Sequence, residues 1–132
     1  MLGEQIGSSK GRRIVRRVIS SDPLEVEVTF EDAGNMLGVS TTGFGTYISQ
    51  VRPDGSAYGE GEGAMITGDG ELISWTGSGQ GQLKPNGAVS YRGILYYRTA
   101  STKLAALNSA PGVFEYEVAP DGTTESKVWA WK

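Results

Sequence analysis

Three side chains capable of acid–base chemistry, Tyr58, Glu60 and Glu62, alternate with glycine within residues 56–82. Side chains two residues apart on a strand share one face of the sheet, so these three are expected to project together. A glutamate removed from water has a raised pKa, which suits a general acid or base. Tyr58, Glu60 and Glu62 are therefore the candidates for catalysis.

The segment around them divides into two strand-like runs that meet at Asp69-Gly70, a pair typical of a two-residue hairpin turn. Such a turn predicts that Glu62 faces Gly77. It likewise predicts that Glu60 faces Gly79, and that both carboxylates point towards the interior. The missing Cβ atoms of the glycines would then open a pocket beside them.

Two structural interpretations compete with that site, and they are favoured because carboxylates on strands are more often paired or solvated than catalytic. In the first, the glycines let the sheet coil and the glutamates form internal salt bridges. Their partners would come from the arginines at 12, 13, 16, 17, 92 and 98. In the second, the register slips by one residue and both glutamates face solvent.

The aromatic residues offer a different kind of site, a cavity for a flat hydrophobic ligand. Trp75, Tyr91 and Tyr97 are the candidates to line it. Arg92 and Arg98, which lie on the same predicted strand as the two tyrosines, are the candidate polar contacts. The alternative is that the rings form an ordinary core. Both interpretations remain open at the level of sequence.

The composition excludes several kinds of chemistry. The chain has no histidine and no cysteine, so it can build neither a Ser-His-Asp triad nor a Cys- or His-ligated zinc site. Asp54, Asp69 and Asp121 each precede glycine and are interpreted as turn residues rather than metal ligands. The run 77–81 resembles a phosphate loop, but no helix follows it. We expect neither a metal nor another cofactor.

Charge and hydropathy limit the partners. A net charge of −3 argues against nucleic acid, which requires a cationic surface. No stretch is long and apolar enough for a membrane span, and the N-terminus has no apolar signal region, so the expectation is a cytoplasmic protein that does not engage membranes. With 132 residues, one domain spanning 1–132 is expected.

The pattern of the chain is that of an all-β protein. About eight strand-like runs follow one another through short turns, and 20 glycines are spread among them. Eight consecutive antiparallel strands are most simply closed as an up-and-down barrel, with a β-sandwich as the alternative. Residues 101–108 predict the single helix, a short one that packs over an open end of the barrel.

Two resemblances accompany this pattern. The opening LGEQIGSSKGRR resembles the start of allene oxide cyclase-like and dirigent-like barrels, in which a similar Gly-x-x-Ile-Gly-x-x-x-Gly run precedes the barrel wall. The stretches SWTGSGQG, YRGILYYRTASTKLAALN and GVFEYEV resemble a group of small bacterial and archaeal proteins without a known function. The first resemblance implies an allene oxide cyclase-like or lipocalin-like barrel, a class that includes cyclases with a mostly apolar cavity. It assigns no catalytic residue.

These observations lead to three functional hypotheses. The leading one is a small soluble barrel that binds a hydrophobic small molecule in its interior. The second is a cofactor-independent cyclase or isomerase in which Glu60, Glu62 or a tyrosine transfers a proton. The third is a structural barrel that has no ligand and associates with further copies of itself. A homo-oligomer is accordingly expected.

Overall fold

The chain forms a closed antiparallel barrel of eight strands in sequence order, in which β1 pairs with both β2 and β8. This computed structural model describes residues 2–131. The predicted all-β barrel is confirmed, and the β-sandwich alternative is not what the chain adopts. The strands are β1 (Leu2–Ser21), β2 (Leu24–Met36), β3 (Val39–Val51), β4 (Ser56–Thr67), β5 (Leu72–Leu83), β6 (Val89–Thr99), β7 (Gly112–Val118) and β8 (Thr123–Trp131).

The β4–β5 turn has three residues instead of the predicted two. Thr67 and Glu71 close the ladder, with the Thr67 amide donating to the Glu71 carbonyl at 2.9 Å. Between them Gly70 takes a left-handed φ of 85°, and its amide donates back to the Thr67 carbonyl at 3.0 Å. This is the usual three-residue hairpin, a tight turn followed by a left-handed glycine. The predicted register is therefore wrong by one residue.

That shift reverses the faces of β4. Glu60 pairs with Ser78 and Glu62 with Thr76, on the outer surface of the barrel. The glycines at 59, 61 and 63 face the interior instead. Because side chains alternate along a strand, one extra loop residue was enough to exchange the two faces.

Glycines make the interior narrow enough for large rings to fill it. Phe30, Gly45, Gly63 and Trp75 are successive partners across β2, β3, β4 and β5. A Cβ added at Gly45 would lie 2.7 Å from the Trp75 ring, and one at Gly63 would lie 2.6 Å from it. The indole therefore occupies space that only glycine backbones leave open.

One end of the barrel is covered by the β6–β7 connection. Leu104 and Leu107 are buried there against Met36, Ile73 and other side chains of the core. The expected cover over one end is confirmed, but the predicted helix is wrong, because 101–108 contains only the 3₁₀ turn Ala105–Asn108. The side chain of Asn108 holds this segment by bonding both the amide and the carbonyl of Thr99, at 2.8 and 2.9 Å. So short a segment is positioned by its two buried leucines rather than by helical hydrogen bonds.

Within residues 2–131 no helix has the length and apolar character needed to cross a membrane.

Candidate ligand site inside the barrel

The centre of the barrel is an aromatic cluster around Phe30. Its ring centroid lies 5.8 Å from that of Tyr116, 6.1 Å from that of Tyr47 and 6.2 Å from that of Trp75. Tyr47 and Tyr91 meet edge to face at 5.9 Å. These separations are those of favourable aromatic pairs, which adds to the stability gained by burying the rings. The cluster gives the site a rigid apolar wall.

A cavity of about 120 Å³ lies beside this cluster. Its walls include rings, two sulfur-containing side chains and bare backbone, contributed among others by Phe30, Met36, Tyr47, Met65, Trp75 and Phe114. Gly59 lines it without filling it, since an added Cβ would meet no atom closer than 3.6 Å. The empty space inside the barrel is therefore bordered mainly by apolar atoms.

One carboxyl group, that of Asp32, faces this apolar space. Asp32 is half-buried on β2, two residues beyond Phe30 on the same face. The hydroxyl of Ser9 donates to Asp32 Oδ2 at 3.1 Å, and the hydroxyls of Ser9 and Ser126 are 2.6 Å apart. Burial raises the pKa of Asp32, and the bond from Ser9 opposes part of that effect. The result is a three-residue polar cluster in an aromatic cavity.

Phenol groups supply further polar atoms. Burial raises the pKa of Tyr47, Tyr97 and Tyr116, so all three are neutral donors near neutral pH. The hydroxyl of Tyr116 lies near those of Tyr47 and Thr124, whereas that of Tyr97 is buried without a hydrogen-bond partner in the described part of the chain. Tyr91 differs, since its hydroxyl lies 2.5 Å from that of Ser49. A buried hydroxyl without a partner is costly, so such a group is normally satisfied by water or by a bound molecule.

The sequence-predicted ligand residues divide between the two surfaces. Trp75, Tyr91 and Tyr97 line the cavity. Arg92 and Arg98 are exposed on the outside, where Arg92 pairs with Glu117 at 3.0 Å. The structure thus brings the three aromatic candidates together and separates them from the two arginines.

The catalytic candidates lie on the outer surface. The Glu60 and Glu62 side chains are exposed. The Tyr58 hydroxyl donates to Glu60 Oε1 at 2.7 Å. Glu60 also borders the cavity, but its side chain is exposed on the outer face, whereas the carboxyl group of Asp32 faces inward.

Sequence reasoning missed Asp32 because it lies in EDAGN, which has the composition of a turn. β2 in fact continues through this run to Met36. A signal was present: Phe30, Asp32, Gly34 and Met36 continue the alternation that begins at Val26 and Val28. Extending that alternation would have placed Asp32 on the inner face.

The described residues contain no group of three or more acidic side chains that could hold a metal ion. Asp32 therefore belongs to no such set of oxygen ligands within residues 2–131.

Comparison with known proteins identifies the fold. No family model and no curated protein matches the chain. Among solved structures, the chain is similar to a protein of unknown function from Clostridium acetobutylicum ATCC 824, with a TM-score of 0.86 and 18% identity over 100% of both chains. It is also similar to a β-barrel-like protein from Acinetobacter baumannii AYE, with a TM-score of 0.83 and 12% identity over 100% of this chain and 96% of that one.

An enzyme from Penicillium herquei has a TM-score of 0.68 and 16% identity, covering 96% of this chain and 92% of its own. At these identities the likeness shows a shared fold alone. The chain is therefore a small β-barrel whose solved neighbours include proteins of unknown function.

Proposed function

We propose that this barrel binds a small, largely apolar molecule in its interior. The observation that carries the proposal is the cavity of about 120 Å³ walled by aromatic rings and faced by the carboxyl group of Asp32. This volume is somewhat below the roughly 150 Å³ of a dry cavity that takes up benzene, so the ligand it suits is a compact one. The resemblance of residues 2–13 to allene oxide cyclase-like barrels supports an interior site.

The direct test fills the cavity. Gly59→Ala and Gly59→Val place one and three carbon atoms into space that Gly59 leaves free, and Gly68→Ala is the matched control on an exposed turn where an added Cβ meets nothing. Binding of a panel of small aromatic molecules is measured by calorimetry and by the rise in Tm that a ligand causes. Affinity should fall from glycine to alanine to valine at 59 and stay unchanged for Gly68→Ala. Equal affinities in all four proteins would contradict an interior site.

A second candidate function, a cofactor-free cyclase or isomerase, is favoured by Asp32. Burial raises the pKa of this carboxyl group, which moves it towards the range in which an acid or base is effective. Asp32 takes the role that the sequence suggested for Glu60 and Glu62, because it faces the cavity. Mass spectrometry of a metabolite extract incubated with the protein should then show conversion that Asp32→Asn abolishes and Glu60→Gln leaves intact. Retention of unchanged molecules would instead indicate binding alone.

A further inference from the structure

Asp32 faces the cavity without a cationic partner. No described lysine or arginine forms an ion pair with it, and Ser9 is its one hydrogen-bond donor within residues 2–131. The inward-facing arginine of β1, Arg13, lies against the Gly122 turn, where a Cβ on Gly122 would be 3.4 Å from its guanidinium. The charge of Arg13 also acts on the phenol of Tyr47, but Arg13 forms no ion pair with Asp32. Charges removed from water are normally paired, so Asp32 lacks a direct cationic partner among residues 2–131.

The wall beside Asp32 is suited to a cation for a second reason. Phe30 lies two residues away on the same face, and the rings of Tyr47, Trp75 and Tyr116 surround it at 5.8–6.2 Å. The faces of aromatic rings attract ammonium groups, most strongly where water is excluded. A carboxylate and several ring faces around one space are together the recognition elements for an organic cation.

We infer that the interior ligand is a small primary amine whose ammonium group binds Asp32 and whose apolar body lies against the rings around Phe30. This inference rests on the proposed function, interior binding of a small molecule. Ser126 supports the arrangement by fixing the Ser9 hydroxyl, which leaves Asp32 Oδ1 for the ligand.

Benzylamine and benzyl alcohol provide the test, because they match in size and differ in charge. Calorimetry should show benzylamine binding about tenfold more tightly than benzyl alcohol to the natural protein, as a charge-assisted bond would give. Asp32→Asn should remove this preference, so that the two probes bind with similar affinity. Glu60→Gln, which removes an equal charge from the outer surface, should retain it.

Two failures can be told apart. Equal binding of the two probes, or a preference that survives Asp32→Asn, would overturn the amine inference while interior binding stands. Binding of neither probe would overturn both. If Asp32→Asn folds poorly, Asp32→Ala, which also removes the charge, should likewise lose the preference and so carries the same test.

A separate observation concerns the surface of β1. β8 pairs with β1 only as far as Arg12, whereas β2 pairs with it up to Ser21. Residues 14–21, here called the β1 extension, thus have one unpaired edge. Val18, 62% exposed, shares one face of the extension with the exposed Arg16, and Val15, 55% exposed, lies on the opposite face. Long exposed apolar edges are normally covered by another chain or blocked.

A complementary surface lies on the outside of β2–β5. This acidic groove is lined by Glu25, Glu27, Phe44, Ile48, Glu60 and Glu62. Phe44 and Ile48 are 53% and 44% exposed. Glu60 and Glu62 form no ion pair with any residue in 2–131, and neither does Arg16. The extension is basic and apolar where the groove is acidic and apolar.

We also propose that the acidic groove receives the β1 extension of a second copy of this chain, in a reciprocal twofold pair. Val18 then packs against Phe44 and Ile48 of the other copy, and Arg16, on the same face as Val18, meets Glu60 and Glu62 of that copy. A closed twofold pair satisfies both surfaces without leading to a fibre.

Charge reversal tests this pairing. Light scattering after size exclusion should give a dimer that weakens from about 0.1 M to about 1 M salt, as the Debye length falls from about 10 to about 3 Å. Arg16→Glu alone, and Glu60→Lys with Glu62→Lys, should each give monomers, and all three changes together should restore the dimer. Glu125→Lys, an exposed site on β8, is the control that should leave it intact. A monomeric natural protein, or no restoration by the combined changes, would overturn the proposal.

Discussion

Asp32 and Gly43 lie opposite each other across β2 and β3, and the carboxylate covers the glycine so closely that a Cβ at Gly43 would be 2.5 Å from Asp32 Oδ1. The other neighbours of that Cβ, Met65 Cγ and the Ala64 carbonyl, are more distant at 3.2 and 3.3 Å. The absence of a side chain at 43 therefore fixes where the carboxylate of the cavity can lie.

Gly43→Ala should destabilise the protein by about 1–3 kcal/mol, because the methyl group must displace the Asp32 carboxylate. Denaturant unfolding measures this cost in the natural protein and in an Asp32→Ala background. The cost should fall in that background, a coupling expected for residues in contact. Gly59→Ala, with no neighbour closer than 3.6 Å, is the control and should be nearly neutral. An unchanged cost of Gly43→Ala after Asp32 is removed would contradict this geometry.

The raised pKa of Asp32 predicts a pH-dependent effect on stability. Since burial raises the pKa of the folded state above that of the unfolded chain, the folded state holds more protons at pH values between the two. The contribution of this group to stability is thus fully present below the unfolded pKa and is lost as pH rises through the folded pKa. Asparagine cannot ionise, so Asp32→Asn should have the higher Tm near pH 7, and its advantage should shrink towards about pH 4.

Calorimetric scans across that pH range measure the difference in Tm. Glu125→Gln removes one exposed carboxylate and should change the free energy of unfolding by no more than about 0.5 kcal/mol. An Asp32→Asn protein that is less stable than the natural one at pH 7 would show that a partner compensates the buried charge.

The cover over the barrel end makes a stability prediction of its own. Leu104 is completely buried, so Leu104→Ala should cost about 2–5 kcal/mol through lost burial and the cavity left behind. Leu72, which is 57% exposed, gives the matched control, and Leu72→Ala should cost less than about 0.5 kcal/mol. Urea unfolding compares the two. A similar small cost for both would mean that the 101–108 segment is detached in solution.

The three-residue turn can be tested with two neighbouring glycines. An added Cβ meets nothing at either Gly68 or Gly70, so any difference between the two comes from the backbone alone. Gly70 has a φ of 85°, and Gly70→Ala should cost about 1–2 kcal/mol. Gly68→Ala should be neutral or stabilise by up to about 1 kcal/mol, because alanine lowers the entropy of the unfolded chain. Equal values would contradict the left-handed conformation at 70.

The hairpin loops show why the fold could be predicted although the inward-pointing face of β4 was not. Three of the loops begin with proline, at 53, 85 and 120, followed by Asp-Gly or Asn-Gly. Proline cannot donate to the ladder, so it belongs to the loop, and the loop has three residues. The β4–β5 loop, Gly68 to Gly70, follows the same pattern with glycine in the first position. Comparing the four loops would have given the correct register, which one turn considered alone did not.

The amino-acid pattern by itself determined the strand number, the antiparallel order and the closure, because alternation and short turns are local and eight hairpin-linked strands have few ways to remove their edges. Trp75, Tyr91 and Tyr97 could be predicted as inner residues for the same reason. Only the tertiary structure decided that Glu60 and Glu62 face outwards and that Asp32, Ser9 and Ser126 meet. A one-residue difference in a loop exchanges the faces of a strand, and the contact between Ser9 and Ser126 joins residues 117 positions apart that meet only when the barrel closes.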